Sequence, residues 1–438
     1  MNHTYILSQI IIIWLIGYIV YRKLYKRDNR VPIDDPGFIW LLVLLIYGTL
    51  PSVSWLFQQG VYSPLNGRLF SLQPSSEVII DLLNIVMAYL LGFSITYLFL
   101  YKKVYFPQYY TINKIGQPFV VAAIVIIAVS FFSNFFLIEI FDFPKNTSRM
   151  EAYQFVGQLP LGLSQLLKLI DLLNFFSMLV IIIAIFQRWP KNRWLIWFYI
   201  IFLLLSLRSG GRSEAAVGLL TVVICWHTMV RPIPAPKLFI SGIIGLICFL
   251  LIGMLRQLGA EGIIFSGIGE FDSLWANAVE LYMDKNEKKI HMPFTTRFND
   301  FWAPIPSQLL WFEKKSPSIW FLENFHPEFK SRGGGYAFGA IAEAVYGYGI
   351  YEGLIRGSII GIICIKFMKW FRKGGSWWMF PMQLYLTIWI YQSVRDTTFR
   401  FIVDISQNVL PAIIVLLVLR SLLTIKESNN KSNLRFNT

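Results

Sequence analysis

Long runs of apolar side chains alternate along this chain with short polar segments, many of them basic. The runs fall at 5–21, 37–57, 77–101, 117–140, 166–187, 194–209, 214–230, 238–255, 338–365, 377–394 and 402–424. A helix rising 1.5 Å per residue needs about 20 apolar residues to cross about 30 Å of hydrocarbon. The pattern therefore predicts an all-α polytopic membrane protein with about eleven transmembrane helices. The runs 194–209 and 214–230 are short and joined by a very tight turn, so a hairpin that does not fully cross is the alternative there.

Composition narrows the class further. Apolar residues make up 55% of the 438, aromatics 17% and charged residues only 15%, where soluble domains carry about 25% charge. That excludes a cytosolic enzyme, a secreted disulfide scaffold and a disordered tail protein. The net charge of +14 raises nucleic-acid binding, but a membrane chain concentrates Lys and Arg in its cytoplasmic loops. Placing the N-terminus outside puts Arg22, Lys23, Lys26, Arg27 and Arg30 inside, then Lys102, Lys103 and Lys114. Arg188, Lys191 and Arg193 follow on that side, then Arg231 and Lys237, then Lys366, Lys369, Arg372 and Lys373. An N-out, C-in topology satisfies every short loop, so no nucleic-acid partner is expected. Cys225, Cys248 and Cys364 all lie inside apolar runs and imply no disulfide framework. Met1–Thr4 carries no basic cluster and no cleavage pattern follows, which reads as a retained first helix.

The expected organisation is helices 1–8 over 1–256, an extracytoplasmic loop over 257–337, helices 9–11 over 338–425 and a cytoplasmic tail over 426–438. The 257–337 loop holds Trp302, Trp311, Trp320, His326 and several prolines. Disordered linkers are poor in aromatics, so this segment is expected to fold against the membrane face. Loops of this length are usually functional.

Candidate chemistry begins with what is missing. There is no Walker A sequence, no HExxH, no dinucleotide fingerprint and no Asp-x-Asp pair in the outer loops. The four histidines are far apart in sequence. No metal and no cofactor are expected.

Arginines stand out on the outer side instead. Arg208 and Arg212 flank the Ser209-Gly210-Gly211 turn, Arg256 ends a helix, and Arg297 and Arg332 belong to the long loop. Arg395 and Arg400 bracket the last outer turn, Asp396-Thr397-Thr398-Phe399. A guanidinium stays ionised and matches phosphate oxygens with paired donors, and the glycine turn adds backbone N–H groups at a helix start. The set suits a pyrophosphate at headgroup level; helix anchoring and pairing with acids are the alternative.

Ionisable residues inside apolar runs are costly, at about 2.5–3.5 kcal/mol each. Glu352 and Arg356 are spaced for an ion pair. Glu343 has no local partner and precedes Tyr346-Gly347-Tyr348-Gly349, which invites a helix break near the outer surface. It is a candidate for proton abstraction, with Asp396 second; a neutral structural Glu is the alternative. Lys168 with Asp171, and Asp81 with Asn84, read as structural pairs, and Glu214 as a helix cap.

Taken together, Arg208-Ser-Gly-Gly-Arg212, the long loop ending in Arg332-Gly-Gly-Gly-Tyr336, Glu343 before Gly347 and Gly349, and Arg395-Asp396 resemble the Wzy-type oligosaccharide repeat-unit polymerases. The resemblance implies a membrane glycosyltransferase with a C-type fold in the bacterial cytoplasmic membrane, acting at its outer leaflet. It implies an undecaprenyl-pyrophosphate-linked glycan donor, a lipid-linked acceptor and the lipid bilayer as partners, and allows a chain-length regulator. It further implies that Arg208, Arg212, Arg256, Arg297, Arg332, Arg395 and Arg400 hold the pyrophosphate without a metal. A ligase passing polymer to another acceptor, and a lipid-linked oligosaccharide flippase, are the rival readings. A flippase favours an internal repeat and midplane charges, and neither is evident in the chain.

Overall fold

A computed structural model describes residues 2–28, 30–58, 61–63, 70–103, 114–140, 160–188, 196–197, 199–200, 212–257, 269–287, 290–305, 307–331, 337–373 and 376–435. In chain order the elements begin with α1 (Asn2–Asp28), α2 (Pro36–Gln58), β1 (Val61–Ser63), β2 (Phe70–Leu72) and α3 (Ser76–Lys103). Then come α4 (Gln117–Ile140), α5 (Leu161–Gln187), α6 (Arg212–Cys225) and α7 (Ala235–Gln257). The long-loop segment carries α8 (Gly269–Glu287), α9 (Phe294–Arg297), α10 (Asn299–Trp302), α11 (Pro317–Phe325) and α12 (Pro327–Ser331). The C-terminal part holds α13 (Ala340–Tyr346), α14 (Ile350–Arg372), α15 (Met379–Trp389), α16 (Gln392–Arg395), α17 (Arg400–Asp404) and α18 (Leu410–Arg435).

The protein is helical as expected. Among the described residues, four helices are both long and apolar enough to cross a bilayer: His3–Lys26, Pro36–Phe57, Ser76–Tyr101 and Arg400–Leu422. Shorter apolar helical stretches lie at Gln117–Val129, Phe175–Gln187, Val217–Val230 and Ala235–Gly245. The sequence pattern missed one element, the antiparallel pairing of β1 with β2. Three-residue strands are too short to show alternation.

Two compact units share the chain discontinuously. One comprises Met1–Tyr110, Ile233–Lys373 and Leu386–Ile402; the other comprises Thr111–Pro232, Gly374–Tyr385 and Val403–Thr438. In the second, α4 packs along α5, and the Ile115 amide donates to Gln187 Oε1 at 2.8 Å. The Arg420 guanidinium sits 5.0 Å from the centre of the Phe119 ring.

The first unit is built on α3 and α14, its most extensively packed pair. Glycines let the two backbones meet. A Cβ on Gly357 would strike the Tyr89 carbonyl, and one on Gly92 would strike that of Leu354. Gly353 and Gly361 face α3 in the same way, with Cβ positions 3.1 Å from Ile85 O and 3.0 Å from Phe93 O. The spacing of 353, 357 and 361 puts these glycines on one helix face, the small-residue seam of membrane helices. At its N-terminus α2 begins on Asp35, whose carboxylate accepts from the Gly37 amide at 2.8 Å, with Pro36 at the first helical position.

The long-loop segment is folded. One face of α8 buries Phe271, Leu274, Trp275, Ala278 and Val279 and packs on α13 and β1. Ser316 caps α11 by accepting from the Ile319 amide at 3.2 Å. The expected span 338–365 is broken where its glycines suggested, with α13 ending at Tyr346 and α14 starting at Ile350. Gly349 adopts a left-handed φ of 61°, which a side chain resists. Asp81 and Asn84 do not pair with each other. Asp81 accepts from the Tyr282 hydroxyl at 2.5 Å and Asn84 from Gln9 at 2.8 Å. The side chains of Lys168, Asp171 and Glu214 lie outside the described residues.

Candidate functional site

The α13–α14 break organises a buried polar network. Glu343, on α13, is 3% exposed, and its Oε2 accepts from Arg356 Nη1 at 3.0 Å, the Thr398 amide at 2.8 Å and the Thr398 hydroxyl at 2.6 Å. Arg356 also donates through Nε to Glu352 Oε1 at 2.7 Å, the pairing its spacing predicts. Glu352 accepts from the Tyr348 amide at 3.0 Å and forms an ion pair with Arg297 of α9. Gly347 leaves the space for that ion pair, since a Cβ there would meet both Arg297 and Glu352. Phe298 and Phe399 cover the Arg356 guanidinium at 5.6 and 5.4 Å from their ring centres. Lys285 of α8 donates to the Val345 carbonyl at 2.9 Å and the Gly347 carbonyl at 2.6 Å, which supports the C-terminal end of α13.

The 395–400 segment closes on the same network. Thr398 joins it to Glu343, and the Tyr89 hydroxyl of α3 donates to Ala340 O at 3.0 Å and lies 3.1 Å from Thr398 Oγ1. The Asp396 carbonyl accepts from the Gly339 amide at 2.8 Å. The Asp396 carboxylate takes the Ser318 hydroxyl at 3.0 Å and lies 3.4 Å from Arg400 Nη1. The Arg400 side chain remains 38% exposed, against 4% for Arg356. One side of this cluster is dry and the other reaches solvent.

Asp300, on α10, sits at the junction of the two sides. It is 7% exposed. Burial above all, and then the Glu343 carboxylate, push its carboxyl up to about 7; the Thr397 hydroxyl and the Arg400 guanidinium pull the other way. The Thr397 hydroxyl is near enough to favour the carboxylate, yet it makes no hydrogen bond of ordinary geometry.

The sequence candidates separate as follows. Glu343, Asp396, Arg400 and Arg297 belong to this connected network, and Arg395 ends α16 beside Asp396. Arg208 and Arg332 lie outside the described residues. Arg212 starts α6 and Arg256 lies near the end of α7, with their side chains outside the described ones. Sequence reasoning missed Thr398 and Asp300. Thr398 stood inside the Arg395–Arg400 motif with no chemistry of its own to mark it. Asp300 lies three residues after Arg297 in an aromatic-rich stretch, and its burial is a tertiary fact that no local spacing encodes.

Residues 314–427 match the family model of the O-antigen polysaccharide polymerase Wzy. That segment is similar to the Wzy polymerases. It contains Glu343, Glu352, Arg356, Asp396, Thr398 and Arg400, and stops short of Arg297 and Asp300. The match agrees with the resemblance carried by the motifs. Together with the apolar helices it supports a multi-pass membrane protein of polysaccharide biosynthesis. No curated protein and no solved structure matches the chain.

Proposed function

We propose that this protein polymerises undecaprenyl-pyrophosphate-linked oligosaccharide repeats at the outer leaflet of the bacterial cytoplasmic membrane. About eleven spans, an outer N-terminus and an inner C-terminus place the 257–337 segment and the 395–400 turn outside. The observation that carries this reading is the Wzy match falling on the segment that holds the Glu343–Arg356–Thr398 network and Arg400.

The chemistry follows from the groups present. A hydroxyl of the acceptor repeat attacks the anomeric carbon of the donor glycan, and the bond from that carbon to the pyrophosphate oxygen breaks. Negative charge gathers on the leaving pyrophosphate, where fixed guanidinium groups stabilise it without reorganising. Arg395 and Arg400 take this role, joined by Arg208, Arg212, Arg256 and Arg332. Arg297 reaches the same region from α9 with its charge shared by Glu352. The hydroxyl proton passes to the carboxylates around Glu343 and Asp396. The folded loop segment covers the glycan and excludes water, which limits hydrolysis of the donor.

Polymer length in cells tests this. Arg212→Ala, Arg395→Ala and Arg400→Ala are expected to abolish chain growth while the protein still inserts in normal amounts. Wild-type polymer lengths in all three would overturn the site assignment. Polymer that lengthens normally but is no longer passed to its final acceptor would identify a ligase.

A further inference from the structure

We propose that Asp300 is the catalytic base of the transfer, taking the proton of the acceptor hydroxyl as its oxygen bonds to the anomeric carbon. The assignment rests on the polymerase reading and narrows it to one carboxylate.

Three carboxylates meet where the proton must go, and their bonding separates them. Glu343 has one oxygen filled by three donors, two from Thr398 and one from Arg356. Protonating it would break the ties holding α13, α14 and the 395–400 turn together. Asp396 is occupied by Ser318 and Arg400 and stands partly in solvent. Asp300 makes no ion pair among the described residues and is nearly dry.

Its surroundings point to an exchangeable proton. Among the described residues, two groups that act on Asp300 carry buried polar atoms without a hydrogen-bond partner, Thr397 Oγ1 and Glu343 Oε1. Buried polar atoms are nearly always paired, and an exception calls for an explanation, of which a catalytic role is one. The charged groups facing Asp300 are Glu343 from α13, and Asp396 and Arg400 from the 395–400 turn. Balanced between two acids and one base, and dried by burial, its carboxyl titrates near 7, where a general base works best. Arg400 lies beside it and is open to solvent, so a pyrophosphate held there would bring the attached anomeric carbon to the carboxylate. The balance of the step is complete. The acceptor C–O bond forms, the bond to the pyrophosphate oxygen breaks with its electron pair, and the proton ends on Asp300.

The test uses purified full-length protein with lipid-linked repeat units, following ladder growth from pH 5 to 9 and binding of the same lipid. Wild-type turnover is expected to rise through about pH 7 as Asp300 ionises. Asp300→Asn is expected to lose roughly 10²–10⁴-fold in turnover, the usual span for general base catalysis, with lipid binding kept. Asp300→Glu is expected to retain turnover with its pH limb displaced. An Asn variant within threefold of wild type overturns the assignment, and so does one that loses binding in step with turnover, which would mark a packing role. If the Asn variant does not fold, the Glu variant decides: a displaced limb supports the assignment and an unmoved limb overturns it. A wild-type protein that makes no ladder defeats the polymerase reading itself, a result distinct from any of these.

Discussion

Arg356 binds two acidic residues in a place with almost no water. Its partners Glu343 and Glu352 are 2% and 6% exposed at the side chain. Removing the cation would strand the buried Glu343 carboxylate and leave Glu352 paired with Arg297, and breaking such a group costs about 3–5 kcal/mol. Arg356→Ala should therefore lower the thermal midpoint in detergent sharply. Adding Glu343→Gln to Arg356→Met should recover part of the loss, because the stranded charge is then neutral. Equal stability of wild type and Arg356→Ala would show that the network is not structural. The Glu352–Arg356 pair was legible from the sequence because helix geometry fixes neighbours four residues apart. The Arg356–Glu343 and Glu343–Thr398 bonds were not, since they depend on how a broken helix folds back.

Asp300 gives a second test at the same scale. Its carboxyl, at about 7 in the fold, holds its proton where an unfolded Asp, with a pKa of about 3.9, has lost it. Between those two values the native state binds more protons than the unfolded one. Stability should fall as pH rises from about 4 to about 7, by at most about 1.4 kcal/mol per unit, and level off above 7. Asp272 on α8 is also pushed up to about 7 by burial, so it adds to the same slope. Comparing Asp300→Asn with wild type isolates the Asp300 share. Identical slopes in the two would contradict the account.

At the scale of elements, the α3–α14 seam decides whether the site exists, because α14 carries Glu352 and Arg356 while α3 carries Tyr89. Gly357→Ala drives a methyl group into the Tyr89 carbonyl, an overpacking error of about 1–3 kcal/mol. Gly242→Ala on α7 meets nothing within 4 Å and should be neutral or slightly stabilising. Thermal midpoints of the two variants would check this directly, and equal values would argue against close backbone packing. The break at Gly347 and Gly349 was expected from the sequence, whereas the glycine repeat at 353, 357 and 361 was not picked out, because its meaning depends on which helix packs against that face. The small helices α9 to α12 were not. They are too short for a periodic pattern, and their order comes from burying Trp320, Phe321 and Asp300 against the rest of the unit.

For the whole molecule, hydropathy alone carried the class of the protein, since long apolar helices have few other uses. Orientation is the expectation drawn from the basic residues, and an outer-leaflet reaction needs the reacting groups outside. A cysteine at exposed Trp311 should react with a membrane-impermeant maleimide in intact spheroplasts. One placed beyond Lys426 should react only after permeabilisation. The reverse pattern would put the site on the wrong side for an outer-leaflet reaction. The likeness to the Wzy family model over 314–427 is the part that motifs made legible, because Glu343 and Arg395–Arg400 fall in one stretch of chain. The arginines at 208, 212, 256 and 332 reach that site only if tertiary packing brings them there, which a linear motif does not encode.

The most direct test of the central claim is to count products from the purified protein in lipid nanodiscs supplied only with undecaprenyl-pyrophosphate-linked repeats. The account predicts a ladder of glycans differing by one repeat, with one undecaprenyl pyrophosphate released for each new bond. Unchanged lipid-linked repeats, or carrier released as free single repeats without any ladder, would contradict it.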